Sequence, residues 1–148
     1  MMDRLPALGI DYGDARIGLS ATDVLGILCH PVETIVVAQA NPAIRIAEVV
    51  RQRGIRTLVM GLPLRLDGTE GSAAEKVKRF AEKVTTACPG LPLQFVDERL
   101  TTMAAHEKMH EAGRKAKDRK MTIDQAAAVE ILNTWMEENG LFSDDFSE

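Results

Sequence analysis

Three acidic residues occupy positions at which layered α/β proteins commonly carry out chemistry. Asp11 ends a short apolar segment, residues 7–11, that is predicted to be a buried strand. Glu98 follows another predicted strand, residues 91–96, and Asp124 falls in the first turn of the last predicted helix. Because ligand sites of open α/β sheets lie beyond the carboxyl ends of the strands, Asp11 and Glu98 are expected at one functional edge.

Carboxylates that converge have a definite chemistry. They raise one another's pKa unless a cation lies between them. Mg²⁺ prefers such oxygen ligands and keeps several waters, and Mn²⁺ accepts the same donors. Two such ions about 3.5–4 Å apart activate a water and stabilise the leaving oxygen of a phosphodiester. The sequence holds no His or Cys set with the spacing of a transition-metal site.

Each acid also has an ordinary structural role open to it. Asp11 begins the sequence Asp-Tyr-Gly-Asp, which favours a turn, and Asp124 would complement a helix dipole. Glu98 would pair with Arg99 or cap the following helix, with Asp97 as its rival for that role. The residue types alone therefore leave convergence of the three acids open.

Glycines mark the segments beside two of the predicted strands. Residues 9–18 contain Gly9, Gly13 and Gly18, which suit a tight turn or a close approach of backbone to phosphate. Residues 61–71 form a second glycine-containing loop after a strand. A plain hairpin and a plain connecting loop explain the same residues.

The predicted elements follow the order β-β-β-α-β-α-β-α-α, which indicates an α/β fold with a mixed central sheet flanked by helices. Helix 43–53 is predicted to carry Ile44, Ala47 and Val50 on one face. Capping boxes at residues 72–75 and 122–125 are predicted to begin two helices, and residues 101–112 form another. Residues 124, 128, 131 and 135 share one helix face that is predicted to pack on the sheet.

Length and charge indicate one domain with two oppositely charged segments. The 148 residues carry a net charge of −4 and fit a single domain, residues 1–140, followed by an acidic tail, residues 141–148, that is expected to be disordered. Residues 113–120 contain five bases, and this basic loop is predicted to contact nucleic acid through Arg114, Lys115 and Lys117. A solvated loop is the alternative.

The cysteines and the hydropathy of the sequence indicate the expected cellular location of the protein. Cys29 and Cys88 match neither a zinc spacing nor a redox pair, and free thiols suit a reducing compartment. The sequence shows no apolar run of membrane-spanning length and no secretory pattern, so we expect no membrane association and a cytoplasmic location.

Four segments together resemble the YqgF family, which is also described as Holliday junction resolvase-like or as a nuclease of pre-16S ribosomal RNA. They are residues 9–18 with Thr22 and Asp23, residues 61–63 with Asp67 and Gly68, residues 97–102, and residues 124–127 with Ile131 and Leu132. The resemblance spans about residues 7 to 136, and the sequence Asp-Glu-Arg-Leu-Thr-Thr at 97–102 is its most specific part.

The resemblance implies a ribonuclease H-like fold and metal-dependent hydrolysis of phosphodiester bonds. It places the catalytic, metal-binding acids at Asp11, Glu98 and Asp124, with Mg²⁺ or Mn²⁺ as the cofactor. Arg16 and Arg99 would then hold phosphates. Thr101 and Thr102 would contact the nucleic-acid backbone or merely cap a helix.

The resemblance favours a nuclease that matures the 5′ end of pre-16S rRNA, with ribosomal particles as possible partners and a monomer or homodimer as the assembly. Holliday junction resolution uses the same site but normally needs a two-fold dimer. An assembly factor that binds nucleic acid without catalysis is an alternative of another class. Asp11, Gly13 and Gly18 also look like the first phosphate hairpin of actin-like ATPases, but the chain is too short for their two domains.

Overall fold

A five-stranded mixed sheet forms the centre of the protein in the computed structural model, which describes residues 2–100 and 116–141. The strand order is β3-β2-β1-β4-β5, with the β1–β2–β3 ribbon antiparallel and β1, β4 and β5 parallel. This confirms the predicted mixed sheet. The strands are β1 (Ala7–Asp11), β2 (Arg16–Thr22), β3 (Cys29–Val36), β4 (Thr57–Leu62) and β5 (Leu93–Asp97).

Helices cover both faces of the sheet. One apolar core joins helices α1 (Pro42–Arg53) and α2 (Ser72–Ala87) to one face, where Leu8 and Ile10 point. Helix α3 (Ala116–Glu138) packs on the other face through Ile131 and Trp135. Short 3-10 turns lie at Met2–Arg4 and Glu98–Leu100. None of the helices in the described part of the chain is long and apolar enough to cross a membrane.

Helix α1 has the predicted ends but a different buried face. The Asn41 side chain accepts a hydrogen bond from the Ile44 backbone N–H at 3.2 Å, and Gly54 ends the helix at a φ of 64°. Of the residues on the predicted face, Ala47 is buried, whereas Ile44 is 56% exposed. Apolar residues lie on more than one stripe of this helix, so periodicity alone did not select the face that packs. The buried residues are Ala43, Ile46, Ala47 and Val49.

Two predicted element ends also shift. The loop predicted at residues 61–71 begins later, because Gly61 and Leu62 still pair with β5 and belong to β4. Helix α2 begins at Ser72, but Gly71 is its N-cap and no side chain caps it, so the predicted capping box is wrong. Ser72 is already the first helical residue and does not occupy the cap position.

The start of the last helix is the largest correction. The chain is already helical at Ala116, so Asp124 lies well inside α3 and not in a first turn, and the capping box at residues 122–125 is wrong. Residues 116–120, including Lys117, are therefore helix and not loop, in keeping with the helix propensity of Ala, Lys and Arg. Arg114, Lys115 and the predicted helix 101–112 lie outside the described residues.

The C-terminal end of the described chain is packed. Leu141, assigned to the tail from sequence, is 9% exposed and its N–H donates to the Met136 carbonyl at 2.9 Å. Gly140 makes the turn with a φ of 62°. Residues 142–148 of the predicted acidic tail lie outside the described residues.

Candidate active site

Asp11 and Glu98 meet across strand β4. Asp11 is the last residue of β1 and Glu98 directly follows β5, and both strands flank β4 in parallel. Their side chains share a hydrogen bond. A Cβ added at Gly61 of β4 would lie 2.7 Å from Cγ of Glu98. The Glu98 side chain therefore passes over a position on β4 where only glycine leaves room for it.

The electrostatics of this pair match half-buried carboxyl groups that lie close together. Burial raises the pKa of Asp11 to about 9, with further contributions from the hydrogen bond and charge of Glu98 and from the charge of Asp124. A hydrogen bond between two carboxyl groups requires a proton on one of them. Because two ionised carboxylates in contact repel, the arrangement calls for a proton or a cation.

Helix α3 carries Asp124 to the same edge by direct contact with glycines of the sheet. A Cβ added at Gly18 of β2 would lie 2.0 Å from the Asp124 carbonyl oxygen, and one at Gly9 would lie 2.7 Å from the Ala128 carbonyl oxygen. The Ser20 hydroxyl donates to the same Ala128 oxygen at 2.7 Å. Gly9 and Gly18 thus serve close helix–sheet packing in this structure.

The carboxylate of Asp124 is held by Arg16. Nε of Arg16 donates to Oδ2 of Asp124 at 3.0 Å, and the two side chains are 34% and 19% exposed. The Gln125 side chain also donates to the Thr34 hydroxyl at 3.0 Å, which fixes this turn of α3 on β3. The predicted helix face is confirmed, because Ala128, Ile131 and Trp135 are all buried.

Arg99 is engaged with protein groups. Its guanidinium pairs with both carboxylate oxygens of Asp97 at 2.6–3.0 Å and donates to the Leu66 carbonyl at 3.1 Å. A second contact reaches the Arg65 carbonyl at 3.4 Å. These contacts tie residues 64–70, a tight hairpin loop, to the end of β5. Phosphate binding by Arg99 stays a prediction.

The three carboxylates offer oxygen donors of the type that a hard divalent cation binds. Asp11 and Glu98 supply oxygen donors in contact, and Asp124 supplies a third from α3, the chemistry that Mg²⁺ and Mn²⁺ prefer. Within the described residues, no three acidic, His or Cys side chains already stand in a cation-binding arrangement. The carboxylate of Asp124, engaged with Arg16, would have to turn toward the other two.

Sequence reasoning found the acids but missed the residues that make room for them. The sequence predicts a loop at Gly61, although a glycine inside an apolar strand pattern also signals a close approach by another group. Gly9 and Gly18 were interpreted as phosphate-approach or turn positions, whereas they contact α3. Thr101 and Thr102 lie outside the described residues.

The chain is similar to known proteins over most of its length. A family model described as RuvX, Holliday junction resolvase, matches residues 6–138. Proteins named "Putative pre-16S rRNA nuclease" are similar to the chain. The one from Kineococcus radiotolerans is 42% identical over 88% of this chain and 70% of its own length. Those from Cutibacterium acnes and Acetivibrio thermocellus are 45% and 39% identical, covering 88% and 90% of this chain and 81% and 96% of their own lengths.

Solved structures confirm the ribonuclease H-like fold. The structure "T. thermophilus RuvC in complex with Holliday junction substrate" has a TM-score of 0.56 at 17% identity and covers 91% of this chain and 96% of that one. A second Thermus thermophilus RuvC structure has a TM-score of 0.52 at 16% identity, with coverages of 93% and 98%. At these identities the likeness concerns the fold alone. Given the family model and the relatives, this chain belongs to the RuvX family of nucleases, the family that its motifs indicated under the name YqgF.

Proposed function

We propose that this protein is a metal-dependent nuclease that hydrolyses phosphodiester bonds during 5′-end maturation of pre-16S rRNA. The observation that carries the proposal is the contact of Asp11 with Glu98 across Gly61, with Asp124 close enough to raise the pKa of Asp11. The names of the relatives support pre-16S rRNA as the substrate. A purely structural use of three converging acids would cost stability and would repel phosphate.

The three carboxylates have distinct positions in this proposal. Asp11 and Glu98 hold the cation from the sheet edge, and Asp124 completes the set from α3. Bound Mg²⁺ or Mn²⁺ would supply an activated water and charge stabilisation for the leaving oxygen. Arg16, relieved of Asp124, would then be placed to hold a phosphate oxygen.

The setting of the reaction follows from the same proposal. The partner is nucleic acid, pre-rRNA in preference to branched DNA, and ribosomal particles that carry the precursor are a further partner. The protein would act in the cytoplasm as a monomer or homodimer. Contacts by Thr101, Thr102, Arg114, Lys115 and Lys117 with the nucleic-acid backbone belong to the proposal as well.

The test is a cleavage assay with the wild type and Asp11→Asn, each with EDTA, Mg²⁺ or Mn²⁺. The substrates are a pre-16S rRNA fragment, an unrelated single-stranded RNA and a four-way DNA junction. Asp3→Asn, which changes an exposed acid ahead of β1, is the matched control. We expect metal-dependent cutting of the precursor by the wild type and the control and none by Asp11→Asn. Equal activity of Asp11→Asn would remove Asp11 from the site.

Junction resolution is the second candidate, and the description of the matching family model favours it. Symmetric cleavage of a junction requires two active sites related by a two-fold axis. Symmetric cutting of the junction alone, by a protein that sediments as a dimer, would replace the rRNA proposal. Substrate binding without any cutting would favour a non-catalytic assembly factor.

A further inference from the structure

A cavity of about 280 Å³ opens beside Glu98 on the side away from α3. Its wall combines apolar and polar groups, and its lining includes Tyr12, Pro63, Val77, Ser72, Lys76 and Glu98. We propose that this cavity receives the single unpaired nucleotide that adjoins the scissile phosphate, with Lys76 and Ser72 holding its phosphate. The inference rests on the proposed nuclease function and adds a binding site to it.

The apolar wall is placed to receive a sugar or base. Glu98 lines the cavity and also interacts with Asp11, so the cavity adjoins the carboxylate site. The Tyr12 ring contacts Phe80 of α2, with ring centroids 4.8 Å apart and an interplanar angle of 34°. This contact holds the ring as a fixed wall, and aromatic faces accept any base by stacking. Pro63 and Val77 line the same cavity.

The polar part of the lining is placed to receive a phosphate. Nζ of Lys76 lies 3.3 Å from Oδ2 of Asp14, and the two side chains are 52% and 73% exposed. An ion pair this exposed contributes little, so a phosphate can take the place of Asp14. Lys78 differs, since it contacts both carboxylate oxygens of Glu70 at 2.7–2.8 Å. Ser72, at the first position of α2, adds a hydroxyl at the favourable end of the helix dipole.

The size of the cavity restricts the ligand. A volume of about 280 Å³ is near the lower limit for small-molecule sites and has room for one nucleotide, not for a base-paired helix. A nucleotide enters such a cavity only when it is unstacked and unpaired. The cavity therefore predicts cleavage next to an unpaired nucleotide, as at the end or in a loop of an RNA precursor.

The test measures binding of a short single-stranded RNA by fluorescence anisotropy, with all variants in the Asp11→Asn background so that nothing is cut. Lys76→Ala should weaken binding about tenfold, the effect of one charge-assisted hydrogen bond. The control is Lys83→Ala, seven residues and about 10 Å further along the same face of α2, which should change binding less than about twofold. Asp14→Asn should tighten binding because it releases Lys76.

A single neutral methylphosphonate, moved along the RNA, locates the contact. At one position it should abolish the difference between Lys76→Ala and its parent, and where the wild type cuts, that position should adjoin the cut. Equal losses for Lys76→Ala and Lys83→Ala, or an effect at every position, would overturn the nucleotide site. If the wild type cuts RNA but Lys76→Ala binds RNA as tightly as its parent, the proposed nuclease activity stands and the nucleotide site in the cavity is excluded. If Lys76→Ala weakens RNA binding but the wild type cuts no RNA, the binding site stands and the proposed nuclease activity is excluded.

Discussion

Nε of Arg16, the first residue of β2, donates to Oδ2 of Asp124 in α3 at 3.0 Å. This pair links the sheet to the helix at the carboxylate site and offsets the negative charge of Asp124. Its position means that Arg16 and a bound cation would compete for the same carboxylate oxygen.

Arg16→Gln should therefore lower the stability of the metal-free protein by about 1 kcal/mol and make Mg²⁺ more stabilising than in the wild type. The measurement is Tm in EDTA and in Mg²⁺. Arg45→Gln, which breaks a pair with Glu33 away from the site, is the control and should gain nothing extra from Mg²⁺. The same Mg²⁺ response in both variants would contradict the competition.

Asp11 should make the stability of the metal-free protein fall with rising pH. Its pKa is raised from 3.8 to about 9, so the folded state keeps a proton that the unfolded chain has released. The folded state is therefore increasingly disfavoured as pH rises from about 4 to about 9. Asp11→Asn should lose this part of the slope, so its Tm advantage in EDTA grows between pH 5 and pH 8. A constant difference across that range would argue against the burial of an acid here.

Gly61→Ala should impair catalysis through Glu98. The added Cβ would lie 2.7 Å from Cγ of Glu98 and from Cδ1 of Ile131, so one of the two side chains must move. We expect a loss of about 1–3 kcal/mol of stability and a larger loss of metal-dependent cleavage per folded molecule. Thermal unfolding and single-turnover cleavage check the two effects separately. Full activity of a folded Gly61→Ala protein would show that Glu98 can function without passing close over residue 61.

Gly18→Ala should displace Asp124, because its Cβ would meet the Asp124 carbonyl oxygen at 2.0 Å. Gly9→Ala is the matched control, since its Cβ would also press on α3, but at Ala128 and Leu132. Both should destabilise the protein, and Gly18→Ala should lose more cleavage per folded molecule. Equal losses of activity would mean that general movement of α3, rather than the placement of Asp124, decides the rate.

Asp97→Asn separates two roles for Arg99. If Arg99 positions the loop at residues 64–70, weakening its pair with Asp97 should loosen that loop and speed trypsin cleavage at Arg65. If Arg99 chiefly holds phosphate, removing the acid should tighten nucleic-acid binding instead. We expect faster proteolysis in both Asp97→Asn and Arg99→Ala. Arg45→Ala, which breaks a pair with Glu33 away from this loop, should leave the trypsin rate at Arg65 unchanged.

The sequence by itself predicted the order of the elements that the structure describes, and it singled out the three candidate acids. Strand β1 and helix α1 have the predicted bounds to within a residue, because a short apolar run, Asn41, Pro42 and Gly54 carry local signals. Asp11 and Glu98 were expected at one edge because strand ends meet there. Element bounds and strand ends follow from interactions between residues that are close in sequence, so the sequence alone indicates them.

Only the tertiary structure decided how the site is assembled. Asp11 and Glu98 lie about 90 residues apart along the chain, and they meet only in the folded protein. Their contact depends on the space that Gly61 leaves on β4. The start of α3 was misjudged because a basic segment with good helix propensity has no local mark that separates it from a loop. Pairing of Arg16 with Asp124 follows from the distance between β2 and α3, which no pattern of residue types encodes.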